Sequence, residues 1–275
     1  MTPLHDAFAF EAFGARITIR AAESFASDVR PRLPPRARPI TTEDSDTVYS
    51  VERIPPRSGS DHIKYRLTRD GVGIGSSRSL SEVCRELESD MHFQVALAAR
   101  DFLFVHAGVV QWKGQAVVVP GRTETGKSSL VMALVNAGGE YFSDEYAVLD
   151  REGRVHAYPK PLSQRREGGP PRLHTAEALG GQQEARAVPM GLTVITRFRD
   201  GATWNPQRIT KARAMMALFE NTVVARSRPE FALSVLAKAV TGTGGLEGDR
   251  GEASEMASAL LDVLRPPRNL MQGGR

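Results

Sequence analysis

The stretch that most constrains this chain is "VVVPGRTETGKSSLVMALVNAGG", residues 117–139. A run of β-branched residues ends at a glycine loop, Gly121–Ser128, which fits the pattern G-x-x-x-x-G-K-[ST]. Behind the loop, apolar residues at helical spacing run as far as Gly138 and Gly139. A strand, a glycine loop and a helix in this order bring backbone N–H groups together at a helix N-terminus, where they can hold an anion. The stretch therefore predicts an α/β fold with a phosphate-binding loop.

Three side chains of this loop carry charge or ligating oxygen. Lys127 supplies a positive charge for β- and γ-phosphates, and the hydroxyl of Ser128 is placed to ligate Mg²⁺. Glu124 brings a negative charge close to the phosphates, and we expect it to point outward because the loop presents its backbone to the anion. The alternative interpretation is a glycine turn with a surface lysine.

Two acids and one histidine lie near the loop in sequence. Asp144 ends the strand-like stretch "EYFS", and Glu145 follows it. In a protein with such a loop, an acid at the end of the next strand is a metal ligand or a base, although any strand-end turn can also contain adjacent acids. His106 lies in the otherwise apolar stretch "FVHAGVV", where a histidine is more often a core residue than a catalyst.

The remaining patterns divide the chain into two parts. Residues 1–80 look like a small β-rich module, with alternating stretches at 8–20, 47–54 and 62–69 and a proline-rich connector at 30–40. A capping box at Ser79 and Glu82 predicts a helix through about residue 100, and residues 81–270 form the second predicted domain. A hairpin is expected of strands 101–112 and 115–120 around the turn Lys113-Gly114, and a second strand pair of 140–150 and 154–158 around Glu152-Gly153. A further strand is expected at 190–200, and helices at about 210–240 and 253–265. Residues 159–187, rich in Pro, Gly, Arg and Gln, show no clear periodicity and predict a mobile segment.

Composition narrows the class of protein. The chain has 275 residues, 41% of them hydrophobic, with a formal charge of +4, and it lacks any nucleic-acid-binding motif, so we expect no nucleic-acid partner. Cys84 is the single cysteine, which excludes an internal disulfide. No signal peptide and no stretch of 18 apolar residues is visible, and we therefore expect a cytoplasmic protein without a membrane partner.

Residues 106–145, "HAGVVQWKGQAVVVPGRTETGKSSLVMALVNAGGEYFSDE", resemble the catalytic core of HPr serine kinase/phosphorylase and its relatives in peptide-modification clusters. In that family a histidine, a hairpin, a P-loop, a helix and paired acids follow one another at similar spacings. The resemblance covers residues 100–150 and continues more weakly towards the C-terminal helices. It implies the α/β kinase core shared with phosphoenolpyruvate carboxykinases, a mixed sheet flanked by helices, together with ATP and Mg²⁺ as cofactors.

The resemblance also implies a role for each matching residue. Lys127 stabilises charge on the transferring group, Asp144 accepts the proton from the attacking hydroxyl, and His106 orients or tunes Asp144. Ser128, Asp144 and Glu145 are the implied metal ligands, with Glu145 standing where the family usually has a second aspartate. The residues implied to hold the nucleotide phosphates are Gly121, Arg122, Thr123, Glu124, Thr125, Gly126, Lys127, Ser128 and Ser129.

Two features depart from the family pattern. Its later signature loop has no clean match, and in "RREGG" (165–169) Arg165 or Arg166 is the candidate to clamp the phosphates. The N-terminal domain of the bifunctional enzymes is not recognisable either, so the chain looks more like the smaller relatives, some of which phosphorylate a serine of a precursor peptide.

The function predicted from these observations is an ATP-dependent kinase acting on a hydroxyl, foremost a serine of a protein or precursor peptide. Two alternatives stay open: a phosphotransferase of small molecules, and a non-catalytic module that binds nucleotide and switches a partner. The sequence also leaves a homo-oligomer open.

Overall fold

The computed structural model describes residues 6–55, 63–121, 126–166, 169–182 and 186–264. The chain divides into two compact units, Met1–Phe102 and Leu103–Arg275. The described residues of both units combine helices with β-sheet, which confirms the prediction of a mixed α/β protein.

The described residues of the first unit form one six-stranded sheet and two helices. The strand order across the sheet is β3-β1-β2-β4-β5-β6. The elements are β1 Asp6–Ala12, β2 Ala15–Ala21, α1 Ala26–Val29, β3 Arg38–Ile40, β4 Thr47–Ile54, β5 Lys64–Arg69, β6 Val72–Ser77 and α2 Leu80–Ala98.

Helix α2 begins and packs as its sequence predicts. The side chain of Ser79 accepts a hydrogen bond from the Glu82 backbone N–H, which confirms this half of the capping box. Its apolar positions Val83, Leu87 and Met91 are fully buried, and the helix packs against β2, β5 and β6. Helix α2 packs on the N-terminal sheet, and the two compact units divide between residues 102 and 103, whereas the sequence places the boundary between residues 80 and 81.

The described residues of the second unit form an eight-stranded sheet, a two-stranded sheet and four helices. The strands are β7 Phe102–Trp112, β8 Gln115–Pro120, β9 Glu140–Ser143, β10 Tyr146–Asp150, β11 Val155–His156, β12 Leu162–Arg166, β13 Gly169–His174, β14 Met190–Phe198, β15 Gln207–Arg208 and β16 Gly244–Arg250. The helices are α3 Lys127–Asn136, α4 Lys211–Glu220, α5 Pro229–Ala239 and α6 Ala253–Val263.

The large sheet mixes strand directions. Its order is β11-β10-β7-β8-β14-β16-β15, and β9 also pairs with β7. β7 and β8 form the predicted antiparallel hairpin, whereas β8, β14 and β16 run parallel to one another. The carboxyl ends of these three parallel strands therefore meet at one edge of the sheet, where α/β proteins commonly place their ligands.

Helix α3 and helix α6 pack together over this sheet. Leu130 and Leu134 of α3, and Met256 and Leu260 of α6, are buried in the same apolar cluster as β8 and β14 residues. The helix that follows the predicted phosphate-binding loop is thereby held by the core.

Residues 159–187 differ from the prediction of a segment without regular structure. β12 and β13 pair as an antiparallel hairpin, and Leu162, Ala176 and Leu179 join the apolar cluster beneath α3. Apolar residues spaced too widely to show a periodicity are thus enough to anchor the segment.

None of the helices in the described ranges is both long enough and apolar enough to cross a membrane.

Candidate functional site

The predicted phosphate-binding loop leaves the end of β8 and enters α3. The Gly121 backbone N–H donates to the His106 carbonyl oxygen at 3.1 Å, which ties the start of the loop to β7. Gly126 has a positive φ of 80°, a conformation that favours glycine, and α3 begins at the next residue. Arg122, Thr123, Glu124 and Thr125 lie outside the described residues, so the loop conformation between these two ends stays a prediction.

A close approach between α3 and β7 brings the helix start towards the acids. A Cβ atom on Gly108 of β7 would lie 2.5 Å from Cγ2 of Val131 and 3.8 Å from Cβ of Lys127. Glycine at this position therefore lets the first turns of α3 lie directly on β7.

Asp144 and Glu145 lie in the break between β9 and β10. The hydroxyl of Ser143 accepts hydrogen bonds from the backbone N–H groups of Glu145 and Tyr146, at 3.1 and 3.0 Å, and so fixes the turn. The single strand expected over 140–150 is thus two strands, with both acids at the interruption.

A hydrogen bond between Ser128 and Asp144 links the start of α3 to the acids. The Ser128 hydroxyl donates to Oδ2 of Asp144 at 2.8 Å. Oδ1 of Asp144 is buried and has no hydrogen-bond partner among the residues that the structure describes. A buried carboxylate oxygen without a partner costs free energy, and it is a feature of sites that hold a ligand or a metal ion.

Burial shifts the pKa values of Asp144 and Lys127 in opposite directions. The pKa of Asp144 is raised to about 6, mainly by burial, against the lowering effects of the Ser128 hydrogen bond and the Lys127 charge. Burial lowers the pKa of Lys127, while the charges of Asp144 and Glu145 raise it. Burial therefore makes the charged form of each group less stable, relative to its neutral form, than it is in water.

His106 lies beside the acids, on the strand next to the loop. Its ring is 4.7 Å from the ring of Tyr146, and burial lowers its pKa, with the charge of Glu145 opposing that shift. The neutral imidazole is therefore the favoured form at pH 7. Its backbone N–H donates to the Asn221 carbonyl oxygen, so the residue is held from two sides of the sheet.

Two residues near the site, Lys160 and Arg250, are not part of any sequence motif. Lys160 forms an ion pair with Glu145, and its carbonyl oxygen accepts a hydrogen bond from the Tyr141 hydroxyl at 2.8 Å. Arg250, at the end of β16, donates from Nη2 to the Gly126 carbonyl oxygen at 2.9 Å. Lys160 is visible in sequence only as one cation of the segment 159–187, and nothing in the sequence around Arg250 indicates its contact with the loop.

The remaining predicted residues are Ser129, Arg165 and Arg166. Ser129 is exposed on α3. Arg165 and Arg166 belong to β12, but their side chains lie outside what the structure describes, so the predicted phosphate clamp is untested. Within the described ranges, no three side chains of the types His, Cys, Asp and Glu gather as a metal cluster.

Comparisons with known proteins add a structural neighbour. No protein-family profile and no curated protein sequence matches the chain. The solved structure of the Hpr(Ser) kinase/phosphatase from Coxiella burnetii is similar to it with a TM-score of 0.33 and 14% sequence identity, over 58% of this chain and 92% of that chain. Similarity at this level assigns neither a family nor an activity to the chain, and the resemblance to HPr kinases stays a hypothesis.

Proposed function

We propose that the chain is an ATP-dependent phosphotransferase that moves the γ-phosphate of MgATP to a hydroxyl group. A serine of a protein or precursor peptide is the preferred acceptor, in keeping with the sequence resemblance. The observation that carries the proposal is the hydrogen bond between Ser128 and Asp144, which joins the start of α3 to the break between β9 and β10.

The residues at this contact fit a magnesium nucleotide. Mg²⁺ prefers oxygen ligands, keeps several waters and is commonly bound through one or two carboxylates plus phosphate oxygens. The Ser128 hydroxyl, the Asp144 carboxylate with its unpartnered Oδ1, and Glu145 supply such oxygens. The N-terminus of α3 and the partly buried Lys127 supply the positive field that a phosphate chain requires.

Each residue then has a definite task. When bound, Mg²⁺ would neutralise part of the negative charge of the phosphates. Lys127 stabilises the negative charge that shifts to the transferring group, and the N–H groups at the start of α3 hold the phosphates in line. Asp144 takes the proton of the attacking hydroxyl, a role for which a pKa near 6 suits it. His106, neutral and next to Glu145, orients the acid pair.

A direct test is phosphate transfer from γ-labelled ATP, read by mass spectrometry of candidate acceptors that include the products of neighbouring genes. We expect a phosphoserine on one acceptor. Asp144→Asn should lower the rate about 10²–10⁴-fold, the usual contribution of a positioned base, with nucleotide binding retained. Asp249→Asn is the matched control, since this carboxylate lies at the same edge of the sheet, where it pairs with Arg199.

The outcomes separate the three functions. Full activity of Asp144→Asn contradicts the kinase mechanism. Transfer to small hydroxyl compounds but not to any protein favours a metabolite phosphotransferase. Tight nucleotide binding without transfer to any acceptor leaves the nucleotide-dependent switch.

A further inference from the structure

Arg250 is a buried arginine at the end of β16. It is 2% exposed, and its guanidinium donates from Nη1 to the Gly251 carbonyl oxygen and from Nη2 to the Gly126 carbonyl oxygen, each at 2.9 Å. The third nitrogen, Nε, is buried and has no hydrogen-bond partner among the described residues. No carboxylate in the described part of the chain forms an ion pair with the guanidinium, although the charge of Glu252 acts on it, and the guanidinium lies over the ring of Phe198, 5.5 Å from its centroid. Burying a guanidinium without a carboxylate partner costs free energy, which the aromatic ring offsets only in part.

The strand order explains how Arg250 reaches the loop. β16 runs parallel to β14, and β14 runs parallel to β8, so that the end of β16 lies at the edge where the loop leaves β8. The approach is tight, because a Cβ atom on Gly126 would lie 2.3 Å from Nη2 of Arg250. Glycine is therefore favoured at residue 126 by its positive φ, and its missing side chain leaves room for the guanidinium.

The contact fixes the direction of a backbone N–H group. The peptide bond between Gly126 and Lys127 is trans, so its carbonyl and its N–H point in opposite directions. The Gly126 carbonyl oxygen accepts from Arg250 and also, at 3.2 Å, from the backbone N–H of Leu130. Two donors hold the carbonyl, and the Lys127 N–H is thereby directed out of the N-terminus of α3, where a phosphate would be bound.

The charges at this point favour an anion. Arg250 and Lys127 both lie at the positive end of α3, where a cation is unfavourable and an anion is favourable. The carboxylates of Asp144 and Glu145 oppose this positive charge, and Glu145 is itself paired with a third cation, Lys160.

We propose that Arg250 is a positioning residue for nucleotide binding, which orients the Lys127 N–H through the Gly126 carbonyl and adds a fixed positive charge beside the phosphate chain. The ligand class is a nucleoside di- or triphosphate or another polyphosphate. The proposal rests on the proposed function, since it concerns the same loop.

The test compares ligand affinity with stability in the full chain. Dissociation constants for MgADP and for magnesium pyrophosphate are measured by calorimetry, well below the unfolding midpoint, and the midpoint itself is measured without ligand. Arg250→Met should weaken binding of both ligands about tenfold or more, as expected for a lost charge-assisted hydrogen bond. Arg250→Lys, which keeps the charge but replaces the two separate donor nitrogens Nη1 and Nη2 with a single one, should lose less. Arg199→Met, an arginine with 74% side-chain exposure at the same sheet edge, should bind like the wild type.

The possible results distinguish a failure of this inference from a failure of the proposed function. Wild-type affinity in a folded Arg250→Met, even with a lower unfolding midpoint, would show a merely structural residue and overturn the inference alone. If Arg250→Met does not fold, wild-type affinity in Arg250→Lys overturns it instead. A wild-type protein that binds neither MgADP nor pyrophosphate would remove the proposed function, and this inference with it.

Discussion

At the scale of single residues, Lys127 is the group whose charge the proposed chemistry needs most. Lys127→Ala should abolish phosphate transfer and weaken MgATP binding by about 1.5–3 kcal/mol, the contribution of one charge-assisted hydrogen bond. Lys211→Ala is a matched control because Lys211 is also the first residue of a helix, α4, but is exposed. Unchanged affinity and activity in Lys127→Ala would contradict the assignment of the loop.

Asp144 gives a prediction about stability and pH. Its pKa is raised from 3.8 to about 6, so between these values the folded protein holds a proton that the unfolded chain has lost. The resulting stabilisation is complete below about pH 4 and is lost as the pH rises through 6. Without ligand and with EDTA present, Asp144→Asn should therefore be more stable than the wild type at about pH 8, by about 3 kcal/mol, and close to it near pH 4. Urea unfolding at both pH values measures this, and an equal difference at both would show that burial does not shift this carboxyl.

At the scale of elements, the contact between α3 and β7 depends on Gly108. Gly108→Ala should destabilise the protein by about 1–3 kcal/mol, because the added methyl group collides with Val131. It should also weaken nucleotide binding, since the start of α3 must move. Gly108→Ala should lower stability and nucleotide affinity less in a Val131→Ala background than in the wild type, because the smaller side chain at position 131 leaves room for the added methyl group. Urea unfolding measures the stability difference and calorimetry the affinity difference. Gly73→Ala in β6 is the control, with nothing within 4 Å of the added atom; a loss in the control as large as that of Gly108→Ala would contradict the packing argument.

The same elements show what the sequence could and could not predict. The hairpin of β7 and β8 was predictable because Lys113 and Gly114 form a tight turn, both with positive φ, between alternating apolar stretches. β16 was missed because "GGLEGDR" has three glycines and three charged residues, a composition that is poor in strand-forming side chains. Its place in the sheet comes from pairing with β14, a contact between distant parts of the chain.

Some residues of the candidate site were predictable from local sequence patterns, and others were not. Ser128 and Asp144 were predictable because a loop pattern and a strand end are local signals, and the structure brings them within hydrogen-bond distance. The pairing of Lys160 with Glu145 and the contact of Arg250 with Gly126 depend on tertiary structure, which no local pattern encodes.

At the scale of the whole molecule, the described candidate residues all belong to the unit Leu103–Arg275. A ligand that binds only the folded state stabilises it by about 2.7 kcal/mol at a concentration 100 times its dissociation constant. We therefore expect MgADP to slow amide hydrogen exchange chiefly in peptides from this unit, and EDTA to reduce the effect. Exchange measured by mass spectrometry checks this, and protection concentrated in Met1–Phe102 would contradict the location of the site.

The hydrogen bond from Arg250 to Gly126 spans 124 residues of chain. During synthesis on the ribosome, the hairpin, the loop and α3 emerge long before β16 does, and contacts so distant in sequence form late. The nascent chain would thus carry a complete loop sequence while its last orienting donor is still untranslated. On the proposed role of Arg250, competence to bind nucleotide would then arise only after β16 has been synthesised and has docked on β14.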